Sequence, residues 1–165
     1  MFKQNFLNWM NVHWILAGYF MDETDVKVLK ALTLDSRLSS RQIAKKCGIS
    51  VGTALSRIRR MEDEGIIKGY TALLDQEKLG YELTVVTEIT VSKGRLLEME
   101  NEIANIPNVC CVYDLTGLSD AAIIAKFKNR EDLSKFTKHL LSLPYVERTN
   151  THVVLTTIKE DFRIV

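Results

Sequence analysis

Gly48 separates two short segments that each begin with a helix-start signal. Ser39, followed three residues later by Gln42, forms a capping-box pattern before the first segment. Gly48 stands where the end of a helix requires a left-handed residue, and Ser50 is suited to cap the helix that follows. This arrangement predicts two helices joined by a tight turn in the N-terminal part of the chain.

The helix after this turn is predicted to have one apolar and one polar face. The apolar residues follow the spacing of an amphipathic helix and are Val51, Ala54, Leu55, Ile58 and Met61. Small, hydroxyl and basic residues occupy the opposite face, namely Gly52, Thr53, Ser56, Arg57, Arg59 and Arg60. A further helix is predicted from Asp22 to Leu34, with acidic residues in its first turn, where the helix dipole favours them.

The charge of the chain is concentrated near this turn. The window from Ser36 to Met61 contains no acidic residue and seven basic ones: Arg37, Arg41, Lys45, Lys46, Arg57, Arg59 and Arg60. The formal net charge is +1 overall, but it is +3 over residues 21–68 and −2 over residues 82–160. The N-terminal part is therefore the part expected to bind a polyanion.

A helix-turn-helix with a basic face has the shape and charge needed to bind phosphates and enter the DNA major groove. Three residues at the start of the second helix are predicted to hold phosphate: Ser39, Ser40 and Arg41. Five residues are predicted to approach base edges: Ser50, Gly52, Thr53, Ser56 and Arg57. Arg59 or Arg60 is placed on the DNA backbone. A solvated basic helix surface is the alternative interpretation.

The residues after Tyr81 predict a second domain. Alternating apolar residues from Tyr81 to Val91 indicate a half-buried strand, and the chain then follows the ferredoxin-like β-α-β-β-α-β order. The remaining elements are a helix after Gly94, strands at Asn108–Thr116, Ala121–Lys128 and Tyr145–Ile158, and a helix at Arg130–Ser142 with Leu133, Phe136, Leu140 and Leu141 inward. Because both helices would cover one face of the sheet, the other face or an edge is expected to form a dimer.

The predicted fold class is α+β, with five segments. Residues 21–68 form the helix-turn-helix domain, 69–81 a hinge, 82–160 the ferredoxin-like ligand-binding and dimerisation domain, and 161–165 a tail. Ile66–Ala72 is predicted to be a short strand leaving the first domain.

Residues 1–20 are interpreted as an extension upstream of the true start, with a short docking helix as the alternative. They are too short and too interrupted by polar residues to span a bilayer, and a secretory signal fits poorly because nothing after them looks extracellular.

The cysteines indicate a reducing compartment. Cys47, Cys110 and Cys111 include no CxxC pair, and their odd number argues against a disulfide framework or a zinc site. The expected location is the cytoplasm, with no membrane association. Neither a metal nor a cofactor is predicted.

An ordered set of short motifs spans both domains, from Met21 to Glu160. It consists of Met21-Asp22-Glu23-Thr24-Asp25, Arg41–Ala44, Gly48–Ser50, Arg57-Ile58, Glu64–Tyr70, Leu115-Thr116-Gly117, Asp120 and Arg148–Thr151. This set resembles the Lrp/AsnC family of prokaryotic transcription regulators. The resemblance implies sequence-specific binding of double-stranded DNA by a winged or simple helix-turn-helix, and a ferredoxin-like effector domain that forms homodimers and often octamers.

The resemblance also implies a binding site for an amino acid or a related metabolite. Carried over by position, it points to Thr116, Gly117, Asp120, Thr149 and Thr151. Asp120 would accept hydrogen bonds from an ammonium group while the loop backbone donates to a carboxylate. Between Gly117 and Asp120, family members commonly carry an acidic residue followed by an aromatic or polar one. This chain has Leu118-Ser119 there, so no particular amino acid is assigned as the effector. A plain β-turn without an effector is the alternative.

Two other classes of protein are weighed against a regulator. An enzyme is disfavoured because no P-loop, G-x-S-x-G, HExxH or dinucleotide motif occurs. A sirohaem-decarboxylase-like protein shares the two-domain pattern and is the enzymatic alternative. An architectural protein, which compacts DNA by oligomerising and needs no effector, is the other alternative.

Overall fold

The computed structural model describes residues 21–92 and 94–165. The chain forms two compact units: the first extends to Leu73 and includes Asp161–Val165, and the second runs from Leu74 to Glu160. The predictions made for residues 1–20 lie outside the described residues. Within the described ranges, no helix has both the length and the apolar character that a membrane span requires.

Three helices form the described part of the first unit. They are α1 Glu23–Leu34, α2 Ser40–Cys47 and α3 Val51–Asp63. Each contributes to a small core, which consists of Val28, Leu32, Ile43, Ala44, Ala54 and Met61. Val51 and Leu55, predicted on the apolar face of α3, are instead exposed. That prediction was wrong because the core reaches only the narrow strip of α3 that includes Ala54 and Met61.

Capping hydrogen bonds define the turn between α2 and α3. Ser39 Oγ accepts from the Gln42 backbone N–H at 3.4 Å, and Gln42 Oε1 accepts from the Ser39 N–H at 2.8 Å. Gly48 has a φ of 69°, in the left-handed region that favours glycine. Ser50 Oγ accepts from the Thr53 N–H at 3.0 Å. These contacts confirm the predicted helix-turn-helix.

A four-stranded antiparallel sheet and two helices form the described part of the second unit. In chain order the elements are β1 Leu83–Val91, α4 Leu96–Ala104, β2 Val109–Asp114, β3 Ala121–Phe127, α5 Arg130–Ser142 and β4 Val146–Val153. The strands lie in the order β2-β3-β1-β4. This topology confirms the ferredoxin-like arrangement and the α+β fold class.

One face of the sheet packs against both helices. Val85 and Ile89 of β1 are buried in a core that includes Met99 of α4 and Leu140 of α5. Val86 and Glu88, which alternate with these buried residues, lie on the opposite face, because side chains alternate along a strand. Leu141, predicted to face inward, is 57% exposed. It follows Leu140 directly, which turns its side chain by about 100° around the helix and away from the sheet.

The opposite face of the sheet is mixed in character. Val86 lies there and is paired in register with Ile124 of β3 and His152 of β4. Val86 and Ile124 are half-buried, and His152 is exposed. Lys126, on the same face, is 8% exposed and pairs with Glu160 at 2.5 Å. A partly apolar strip therefore runs across the centre of this face.

Two predicted strands differ from the structure. Ile66–Ala72 forms no strand, because no strand of the described residues pairs with it. The strand predicted at Tyr145–Ile158 spans only Val146–Val153. It ends there because Val153 pairs with Val85, close to the start of β1, and leaves little strand beyond to pair with.

Tyr145, the residue immediately before β4, links this strand to α4. Its side chain is buried, and its hydroxyl donates a short hydrogen bond to Glu102 Oε2. The Arg95 guanidinium lies 5.8 Å from the centre of the tyrosine ring. The hydrogen bond to Glu102, with burial second, raises the pKa of Tyr145 from 10.0 to about 12. The folded unit therefore favours the neutral phenol.

Replacing Tyr145 with Phe removes this hydrogen bond and leaves Glu102 without its phenol donor. We expect the free energy of unfolding to fall by about 1.5–3 kcal/mol at neutral pH, the range for hydrogen bonds to charged groups. The raised pKa means that this stabilisation is complete below pH 10.0 and is lost as the pH rises towards about 12. Urea unfolding followed by circular dichroism should therefore show a difference between wild type and variant that shrinks in this window.

Tyr81→Phe is the matched control for this measurement. Lys128 Nζ lies 5.2 Å from the centre of the Tyr81 ring, and the substitution keeps that ring. Equal unfolding free energies for wild type and Tyr145→Phe, or an equal loss in Tyr81→Phe, would contradict the assignment.

Candidate functional site

The predicted DNA-contacting residues lie at the start of α2 and along α3. Six of the ten are exposed, and the other four are half-buried: Ser40, Thr53, Arg57 and Arg60. Ser50 Oγ lies 2.8 Å from Thr53 Oγ1 and also accepts from the Thr53 backbone N–H, so the two hydroxyls bond to each other and that of Ser50 also caps the helix. Ser39 Oγ is likewise occupied by its cap. The serine hydroxyls at both helix starts therefore stabilise the helices directly.

Arg57 does not point outward from α3. Its Nη1 donates to Asp22 Oδ2 at 2.6 Å and lies 3.1 Å from both carboxylate oxygens of Asp25. Asp22 caps α1 and Asp25 lies in its first turn. The guanidinium predicted to read bases is thus paired with acidic groups of its own unit. The hydrogen bond to Asp22 is also the main reason why the pKa of Arg57 is raised above its ordinary value.

Arg60 is held in the same way. Its Nη2 donates to Asp25 Oδ2 at 2.5 Å, and its side chain is about one-third exposed. It is therefore directed towards α1, whereas the sequence placed Arg59 or Arg60 on the DNA backbone. These partners were not predicted, because the helix dipole already accounts for acids in a first helical turn. The available signal was that Asp25, Val28 and Leu32 share one helical face, which places a carboxylate on the buried side of α1.

Other basic residues of the window have no such partners. Arg41, Lys45, Lys46 and Arg59 make no ion pair with any described acidic residue and are exposed. Arg37 pairs with Asp35 at 3.2 Å on the surface. Arg59 is therefore the arginine of α3 that is available to an external anion.

A shallow groove of about 630 Å³ runs along the outer side of α3. Gly52, Leu55 and Ser56 line it towards the start of the helix, and Asp63 and Glu64 line its far end. Arg59 and the partly exposed side chain of Arg60 lie between them, although the Arg60 Nη2 is bonded to Asp25. The glycine permits close approach of another molecule. The two acids would repel phosphates, so the surface suited to DNA is the part before them.

The candidate effector residues all adjoin β1 or the loop after β2. Asp120 Oδ2 accepts from the Val91 backbone N–H at 2.8 Å, and the Asp120 N–H donates to the Ile89 carbonyl at 2.9 Å. Asp120 therefore fastens the loop at 115–120 to the end of β1. Thr116 and Gly117 lie on the exposed part of this loop, where Gly117 has a φ of 128°.

The two threonines of β4 lie beside the same strand. Thr151 pairs in register with Thr87, and their hydroxyl oxygens are 3.1 Å apart. Thr149 pairs in register with Ile89. The structure thus places Asp120, Thr149 and Thr151 along residues 87–91 of β1. Thr116 and Gly117 lie on the loop that Asp120 holds in place.

A helix-turn-helix unit with an outward arginine, followed in the chain by a ferredoxin-like unit, defines a two-domain DNA-binding regulator. Residues 21–68 match the family described as winged helix-turn-helix DNA-binding, and residues 84–164 match the Lrp/AsnC ligand binding domain. The chain belongs to the Lrp/AsnC family of transcriptional regulators, and it is a DNA-binding regulator of transcription.

Individual relatives agree with this assignment. An HTH-type transcriptional regulator of Pyrococcus furiosus is 50% identical over 144 residues, which cover 87% of this chain and 97% of the relative. The HTH-type transcriptional regulator FL11 of Pyrococcus horikoshii is 36% identical over 140 residues, 85% of this chain and 93% of the relative. Among solved structures, a transcriptional regulator of Neisseria meningitidis in complex with L-Met has a TM-score of 0.81 at 27% identity, covering 88% of this chain and 97% of that one.

Proposed function

We propose that the outward face of α3 reads operator DNA in the major groove and that Arg59 is its arginine contact. The observation that carries this proposal is the division of the α3 arginines. Arg57 and Arg60 pair with α1, whereas Arg59 is exposed and makes no ion pair with a described residue. Gly52 and Ser56 beside it allow close approach to base edges, and Ser50 and Thr53 lie at the helix start that enters the groove.

The start of α2 is proposed to hold a DNA phosphate. The first backbone N–H groups of a helix lack partners within the helix, and those of Ser40 and Arg41 are at this position. The Ser39 hydroxyl is used as a cap, so the proposed contacts are the backbone N–H groups and the exposed Arg41 side chain. Anion binding at a helix N-terminus is supported by the helix dipole.

The second unit is proposed to pair with a second copy through the face of the sheet that carries Val86 and Ile124. These half-buried apolar side chains lie in the centre of a face whose margins include the exposed His152. Such a dimer would carry two α3 helices, and its half-sites on DNA would lie about one turn (about 10 base pairs) apart or a multiple of that. The family resemblance further suggests assembly of such dimers into octamers, acting in the cytoplasm.

The effector is proposed to be an amino acid bound at Thr116, Gly117, Asp120, Thr149 and Thr151. Support comes from the Neisseria relative, whose structure contains L-Met, and from the convergence of Asp120, Thr149 and Thr151 on β1. One oxygen of Asp120 is used by the Val91 N–H, so the other is the proposed acceptor for an ammonium group. The side chain of Leu118, in the same loop, is fully exposed to solvent.

Arg59→Met tests the proposed DNA interface, with Arg57→Met as its matched control on the same helix. Because Arg59 is proposed to contact DNA, its loss should reduce the slope of log K against log salt concentration by about 0.9 for one phosphate, or cost about 1–3 kcal/mol of specificity for one base. Arg57→Met should keep the wild-type slope and instead lower the melting temperature. Fluorescence anisotropy on DNA selected from random oligonucleotides measures the salt slope and the specificity. Wild-type binding by Arg59→Met would refute the interface.

Ile124→Arg tests the proposed dimer. A charge in the centre of a buried sheet interface lacks a partner and costs several kcal/mol, so sedimentation velocity should show a monomer at concentrations at which the wild type is dimeric. Leu141→Arg makes the same change on the outer side of α5, where the side chain is already exposed, and should remain dimeric. A dimeric Ile124→Arg protein would place the interface elsewhere.

A thermal-shift screen of amino acids tests the proposed effector. At about one hundred times the Kd, a ligand adds about 2.7 kcal/mol of stability, which is readily detected as a rise in melting temperature. Thr149→Val preserves the shape of the side chain and should reduce this rise, whereas Thr90→Val, on β1 but on the opposite face, should preserve it. The site is wrong if the two variants respond equally, and the amino-acid class is wrong if none raises the wild-type melting temperature. Asp120→Ala is unsuitable because it also removes the acceptor for Val91.

A further inference from the structure

Asp25 is a fully buried carboxylate in a unit with a small core. Its exposed fraction is 0%, and a buried charge is strongly unfavourable unless it is paired and hydrogen-bonded. Asp25 Oδ2 accepts from the Asp22 backbone N–H at 2.9 Å, and Asp22 Oδ1 accepts from the Asp25 N–H at 2.9 Å. This capping box fixes the Asp25 carboxylate relative to the backbone of α1.

Both cationic partners of this carboxylate come from one helix. Arg57 Nη1 lies 3.1 Å from its two oxygens, and Arg60 Nη2 lies 2.5 Å from Oδ2. Residues three apart lie on neighbouring positions of a helix surface, so the two arginines are held at two successive points along α3. Two fixed points constrain the rotation of α3 about its own axis relative to α1.

Arg60 shows that the carboxylate determines the orientation of its guanidinium. The Arg60 Nε is buried and has no hydrogen-bond partner among the described residues. Nε lies 4.0 Å from Glu64 Oε1, which is too far for a hydrogen bond, whereas Nη2 bonds to Asp25 Oδ2 at 2.5 Å. In this orientation the charged end of Arg60 is directed to α1.

We propose that Asp25 is a positioning residue for DNA binding, which withdraws Arg57 and Arg60 from the DNA and sets the rotation of α3 that presents Arg59. The withdrawal limits contacts that depend on charge alone and leaves more of the recognition to base edges. Phosphate contacts bind all sequences, whereas base contacts distinguish them. Asp25 therefore raises the ratio of specific to non-specific binding. This inference rests on the proposed use of α3 as the reading helix.

Asp25→Asn in the full-length protein tests this role, and Glu23→Gln is the matched control. Both changes remove one negative charge from the first turn of α1, but Glu23 is exposed and its one ion pair within the described part of the chain is with Lys27, at 3.0 Å. Affinity is measured against salt concentration on the selected DNA and on a scrambled duplex of equal length. On scrambled DNA the slope for Asp25→Asn should steepen by about 0.9 for each arginine that reaches a phosphate, or about 1.8 for both.

The outcomes are distinct. Glu23→Gln should keep the wild-type slope and the wild-type ratio of affinities, whereas Asp25→Asn should lower that ratio by at least tenfold. Equal slopes and ratios for Asp25→Asn and Glu23→Gln would overturn the proposal. A purely structural role for Asp25 would lower the melting temperature without changing the slope for the folded protein, and it would also overturn the proposal.

A second variant covers the case in which Asp25→Asn does not fold. Asp22→Asn retains a side chain that caps a helix but removes a charge that faces Arg57 at 2.6 Å. It should steepen the slope on scrambled DNA by up to about 0.9, and a wild-type slope would count against the proposal. Failure of the underlying DNA interface appears separately, as wild-type binding by Arg59→Met.

Discussion

The buried carboxylate of Asp25 joins the first helix to the third, and the geometry of the DNA-binding unit depends on this connection. The apolar core of the unit is small and includes two alanines, which pack closely but leave the rotation of a helix weakly determined. Directional hydrogen bonds to two arginines on α3 supply the missing constraint. The charge that they neutralise is also the reason why those arginines are directed to α1.

Asp120 has a comparable role in the second unit. Its side chain accepts the Val91 N–H and its backbone bonds to Ile89, so one residue ties the loop after β2 to the end of β1. In both units an acidic side chain uses its oxygens within the protein to hold one segment against another. The carboxylate that a sequence motif marks as a ligand contact is, in the folded chain, also a structural group. Substitutions at either position therefore have to be interpreted together with a stability measurement.

Much of the architecture could be predicted from local sequence because its signals are local. The caps at Ser39 and Ser50, the left-handed Gly48 and the alternation along β1 each depend on a few neighbouring residues. Predictions that depended on neighbours in space were less successful. Val51, Leu55 and Leu141 are apolar residues with helical spacing, yet they are exposed because no described element packs over them. The strand expected at Ile66–Ala72 has no pairing partner among the described residues.

The sequence by itself determined that a helix-turn-helix with an acid-free basic window precedes a ferredoxin-like domain, because capping, glycine conformation and hydrophobic periodicity act over short distances along the chain. Only the tertiary structure decided which basic residues of that window are available to DNA. Arg57 and Arg59 are alike in charge, reach and helical context. They differ because Asp22 and Asp25, more than thirty residues earlier in the chain, lie beside one and not the other. Pairing between distant segments depends on how helices pack, and helical periodicity alone does not specify it.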